Sequence, residues 1–163
     1  MSNNPADLSP VTIARIVETM SGFGVDLDTH EDNEVATANL NGVLVTFAVL
    51  GSVAIVRADA VTEQTLGDAD PTFYLAANQV NCVSFGARAT VVDRAENLII
   101  RTERDLPIAA GLNDAQLGGG LRAAVDAVLA TQDGIKAAAE ELDGVRASVE
   151  AELAEQEAAG QAD

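Results

Sequence analysis

The chain has 163 residues, a formal net charge of −17, and 48% hydrophobic but only 3% aromatic residues. That length bounds one domain with at most an appendage, whose core must be built from Val, Leu, Ile and Ala. The acidity argues against phosphate backbones and anionic membranes, and suits a basic partner or plain solubility.

Residues 1–9 read as a flexible leader, with no apolar stretch of the secretory type. Ser9-Pro10 has the form of a helix start, serine as cap and proline at the first helical position. Ile13, Ile16, Val17 and Met20 then recur at helical spacing, and Gly22 and Gly24 stop the helix with Phe23 over its end. A polar bridge, "VDLDTHEDNE", has room for a short edge strand.

Three strands follow as a meander: "VATANL" to Asn41-Gly42, "VLVTFAVL" to Gly51-Ser52, and "VAIVRA". Two-residue connections make these neighbours antiparallel. "TEQTLGDAD" is a loop. Asp70-Pro71 then repeats the cap-and-proline device ahead of a helix from about Thr72 to Val83. Its apolar stripe is Phe73, Ala76, Ala77 and Val80; beside it run Tyr74, Asn78, Asn81 and Phe85. "ARATVVDR" and "NLIIRTER" form a second hairpin turning at Ala95-Glu96.

Asn113 with Gln116 has capping-box spacing and opens the last helix. Gly118, Gly119 and Gly120 cost about 1 kcal/mol each against alanine, so the helix is expected to start in earnest at Leu121. From Leu121 to Leu153 apolar residues recur four and three apart, a seam broken by Gln132 and Arg146. Residues 133–163 are read as an acidic helical extension, packed on the body at its start and frayed at its end, with pairing to a second copy left open. The fold class expected is α+β: an antiparallel sheet of about five strands with helices packed mainly on one face.

The order helix, meander, helix, hairpin, helix resembles the YbjN-type family of bacterial proteins. The words that carry the likeness are "LAANQVNCVSFGARATVVDRAENLIIRTERDLP" and "AGLNDAQL", over about residues 10–132. Asn78 and Asn81 fall on the family's paired-asparagine pattern and Asn113 on its last cap. This chain lacks tryptophan and adds the triple glycine and the acidic end. The resemblance implies a secretion-chaperone-like fold, a sensory-transduction or chaperone-like role, pairing into a homodimer, and no established catalytic residues.

Candidate chemistry is thin. Asn78 and Asn81, three apart, are expected to face one way, toward the following hairpin or the loop before it, and to pin backbone groups there, because a buried amide must be hydrogen-bonded. His30 is one imidazole in an acidic loop, and Asp26, Asp28, Glu31 and Asp32 lack the calcium-loop spacing and glycine. Cys82, the single cysteine, excludes an internal disulfide and is expected to be buried and inert. Asp93, Arg94, Glu96, Arg101, Glu103 and Arg104 are read as a solvated, salt-bridged hairpin. The glycines at 118–120 do not form a phosphate loop. The function expected is a cytoplasmic, non-enzymatic protein-binding or chaperone-like regulator, with Phe73, Ala77 and Val80 as candidate interface if exposed. No cofactor, metal, nucleic acid or membrane is expected; a protein client is. The alternative is an enzyme or small-ligand sensor whose site forms across a dimer.

Overall fold

The structure, a computed structural model, describes residues 7–29 and 34–160. Six antiparallel strands make one sheet in the order β1-β2-β3-β4-β6-β5. They are β1 (Asp28–Thr29), β2 (Val35–Leu40), β3 (Val43–Leu50), β4 (Val53–Val61), β5 (Arg88–Arg94) and β6 (Asn97–Pro107). The sixth is the two-residue edge strand for which the polar bridge had room. The helices are α1 (Ile13–Gly22), α2 (Thr72–Val83) and α3 (Asp114–Gly160).

The turns do what their residues demand. Asn41 and Gly42 both have positive φ, 54° and 81°, the primed-turn geometry of a two-residue hairpin. β6 pairs with β4 from Val53↔Pro107 to Val61↔Ile99, so the second hairpin extends the meander and β6 is an interior strand.

Alternation along the strands sends Ala36, Val45, Phe47, Val56, Ala58, Ile100 and Leu106 to the helix-covered face. Two adjoining cores form there. The larger joins Ile13, Ile16 and Met20 of α1 to Phe47, Val56, Leu117, Leu121 and Val128. The smaller joins Ala76, Ala77 and Val80 of α2 to Ile100, Ile135 and Ala139. One helix, α3, spans both.

Several expectations change. α1 starts at Ile13, because Thr12 rather than Ser9 is its cap, accepting from the Arg15 amide at 3.3 Å. Ser9 instead bridges to Leu112, and Arg15 Nη1 donates to its carbonyl at 2.9 Å, so the leader is tied down at residue 9.

α3 starts at Asp114, seven residues before Leu121. Asn113 Oδ1 accepts from the Gln116 amide at 2.8 Å and Gln116 Oε1 from the Asn113 amide at 3.0 Å, closing the capping box. Two of the three glycines are contact residues. A Cβ at Gly118 would stand 3.3 Å from the Phe23 ring, and one at Gly120 3.3 Å from Leu106. Their propensity cost is offset by the close approach they permit. Arg122, one turn on, lies 4.5 Å over the Phe23 ring.

Gln132 is buried, and its Nε2 donates to the carbonyls of Ala58 (3.0 Å) and Ile100 (2.9 Å). It fastens α3 to β4 and β6 rather than breaking a seam. The helix also runs through residue 133 without interruption, and Ile135 and Ala139 are core. The compact body therefore reaches past the boundary expected at 132.

Candidate functional surfaces

α2 decides which surface is free. Asp70 caps it from one residue outside: Oδ1 accepts from the Thr72 amide at 2.9 Å and from its hydroxyl at 2.7 Å. Arg146, far along α3, donates to both carboxylate oxygens of Asp70, at 2.8 and 3.1 Å, and to the Thr72 hydroxyl. The Arg146 hydrogen bonds, then those from Thr72, hold the Asp70 carboxyl well below the usual carboxylate range. Arg146 is thus an anchor.

With α2 fixed in this way, Phe73, Ala77 and Val80 face α3 and the sheet. Ala77 and Val80 are buried, and Phe73 is half-buried against the same core. The candidate interface is therefore an internal contact, because α3 covers that stripe.

The opposite side of the same helix is open. Tyr74, Leu75, Asn78, Gln79, Cys82 and Val83 are exposed, and Phe85 beyond its end is 95% exposed. Residues 71–87 contain no charged side chain, in a chain where 21% of residues are charged. Solvent-facing helix sides are normally charged, and an uncharged apolar patch marks a contact surface.

The two asparagines divide between these roles. Asn81 Nδ2 donates to the Ala89 carbonyl and its Oδ1 accepts from the Ala89 amide, each at 2.9 Å, which locks α2 to the first residues of β5. Asn78 points out on the free side and pins nothing in the hairpin. Cys82 is exposed, not buried, because it lies on that same outer side.

The helix-free face of the sheet carries the charges. On it Glu103 is 7% exposed, so it is no solvated hairpin residue. β6 is interior, and Arg57 from β4 and Arg88 from β5 close over the carboxylate. Arg57 holds Oε2 through Nε and Nη2 at 2.5 Å; Arg88 holds Oε1 through Nε at 3.0 Å and through Nη2. Burial pushes the Glu103 carboxyl up, but the two guanidinium groups outweigh it and the net shift is downward. Beside it Arg101 grips both oxygens of Asp59 at 2.8 Å. Exposed Leu44, Leu50 and Val61 flank this charged centre on the same face. Asp93, Arg94 and Glu96 remain exposed at the hairpin tip, and Arg104 faces the helix side, reaching the Ala123 carbonyl at 3.5 Å.

His30, Glu31 and Asp32 lie outside the described residues; Asp26 and Asp28 are exposed. Among the described residues no three His, Cys, Asp or Glu side chains are placed to hold a metal ion, and no helix is long and apolar enough to cross a membrane.

Fold and surfaces together define an α+β protein with one sheet face under three helices, the other face open, and an uncharged outer helix. The chain belongs to the YbjN family, described as "Putative bacterial sensory transduction regulator", which it matches over residues 12–137. The crystal structure of YbjN from E. coli, titled "a putative transcription regulator", superposes with a TM-score of 0.61 at 12% identity. The overlap covers 86% of this chain and 97% of that one. That likeness shows the fold. No curated protein matches the chain. The family match ends inside α3 and leaves residues 138–163 beyond it.

Proposed function

We propose that this is a cytoplasmic, non-enzymatic regulator that works by protein contact, as a homodimer paired through the outer face of α2. The observation that carries this is the exposed side of the uncharged run 71–87, with Tyr74, Leu75, Asn78, Gln79, Cys82, Val83 and Phe85 outward, on a chain of net charge −17. Two copies repel one another over the rest of their surfaces. A neutral face with Leu75, Phe85 and an outward amide is where a second copy meets least repulsion, and a two-fold pairing would set Asn78 against its own counterpart. Each copy keeps its open sheet face, with Glu103 and its two arginines at the centre and leucines around it, available to a protein client.

Light scattering on the full chain tests the pairing. The parent should give twice the chain mass, and Leu75→Asp with Phe85→Asp should halve it while the melting of the separated chain holds. A parent that stays a single chain at micromolar concentration would sink the proposal.

A further inference from the structure

α3 outruns the body that it packs on. Its buried side runs from Leu117 through Leu121, Ala124, Val128, Gln132, Ile135 and Ala139. Its last tie to another element is Arg146 on Asp70 and Thr72. Every residue from 147 to 160 is helical and exposed, an overhang of about 21 Å at 1.5 Å per residue.

The overhang is not uniformly polar. Val145, Val149 and Leu153 are spaced four apart, so they line one side, and they are 58%, 49% and 53% exposed. By helical stepping Leu153 continues the core-facing side of α3, with Val149 beside it and Val145 further round the helix. Stepping about 100° per residue puts Glu152 on one edge of the stripe and Glu150 and Glu157 on the other. Residues 147–160 contain four glutamates and no lysine or arginine.

Those charges select the occupant. A second copy of this segment would bring glutamates against glutamates along both edges of the stripe, and the one cation within its span, Arg146, is already bound to Asp70 and lies beside its own Glu150. A helix with an apolar side and lysine or arginine at its edges would bury the stripe and satisfy the glutamates together. We infer that the free end of α3 docks a basic amphipathic helix of a partner protein, using Val145, Val149 and Leu153 as anchors.

The test uses the full chain and a synthetic helical peptide of leucine and lysine whose leucines line one side. A second peptide has the same composition in shuffled order. Fluorescence anisotropy should show the first peptide binding and the shuffled one failing. Val149→Ser with Leu153→Ser, which leaves the charge unchanged, should weaken binding about tenfold or more. Glu150→Gln, Glu152→Gln and Glu157→Gln together should weaken it too and flatten its dependence on salt. Equal binding to the serine variant, or no binding by the parent, would overturn the inference. So would a fall in the mass of the full chain on serine substitution, since the stripe would then be joining two copies. Mass changes caused by Leu75→Asp and Phe85→Asp concern only the α2 pairing, so the two proposals fail separately.

Discussion

Asn81 and Ala89 exchange two hydrogen bonds, each 2.9 Å, between the last turn of α2 and the second residue of β5. A side-chain amide here completes a strand's backbone pairing at a residue that is buried, so its amide and carbonyl have little water to turn to. Asn81→Leu removes both bonds and should cost about 1–3 kcal/mol in denaturant unfolding. Asn81→Asp keeps the acceptor but loses the donor and should also destabilise. Asn78→Leu, on the free side, should leave the stability of a single chain within about 0.5 kcal/mol. Equal losses at 78 and 81 would refute the division of roles.

The Asp70 cap gives stability a pH dependence of definite sign. Its folded pKa is depressed, by the Arg146 hydrogen bonds first and those of Thr72 next. A depressed carboxylate stabilises the fold fully above its unfolded pKa, about 3.9, and that contribution fades as pH falls toward the folded value. Glu103 shifts the same way. Urea unfolding from pH 6 down to pH 3 should therefore show stability falling below about pH 4. Asp70→Asn should be weaker at pH 6 and flatter below it. A parallel pH profile for the variant would contradict the cap.

The glycines at the start of α3 separate propensity from packing. Gly119 has open space around its Cβ position, as does Gly144 further along. Alanine at either should stabilise by roughly 0.5–1 kcal/mol. Gly118→Ala meets the Phe23 ring at 3.3 Å and should gain nothing or lose stability. Thermal melts of the three variants suffice; equal gains at 118 and 119 would contradict the packing argument.

Gln132 is the internal fastener of α3. Gln132→Leu is better for helix propensity yet leaves the carbonyls of Ala58 and Ile100 without this donor, and should cost about 1–3 kcal/mol. Thr102→Val, which removes the 2.8 Å bond to the Val128 carbonyl one turn earlier, should cost less, about 0.5–1.5 kcal/mol, since one hydrogen bond is lost rather than two. Hydrogen exchange on β4 and β6 would report both.

Local signals made much of this fold readable. Asn41-Gly42, Gly51-Ser52 and Ala95-Glu96 place the hairpins, Asp70-Pro71 places α2, and Asn113 with Gln116 places the start of α3. What was not readable depends on partners distant in sequence. Both sides of α2 are uncharged, so composition alone could not say that Val80 faces inward and Phe85 outward; α3 decides that. Glu103 looked solvated because nothing nearby in sequence shows that β4 will flank β6 opposite β5. Gln132 and Arg146 looked like faults in an apolar repeat, because their acceptors lie 32 and more residues away. The triple glycine looked like a weak start because propensity is local and the Phe23 contact is not.

The chain has one tyrosine and no tryptophan. That tyrosine, Tyr74, is 43% exposed on the outer side of α2. The ultraviolet emission of the whole protein therefore comes almost wholly from a single phenol, located on the surface assigned to pairing. Dilution through the dissociation range would change its anisotropy and its quenching by iodide, so assembly could be followed optically with no label attached.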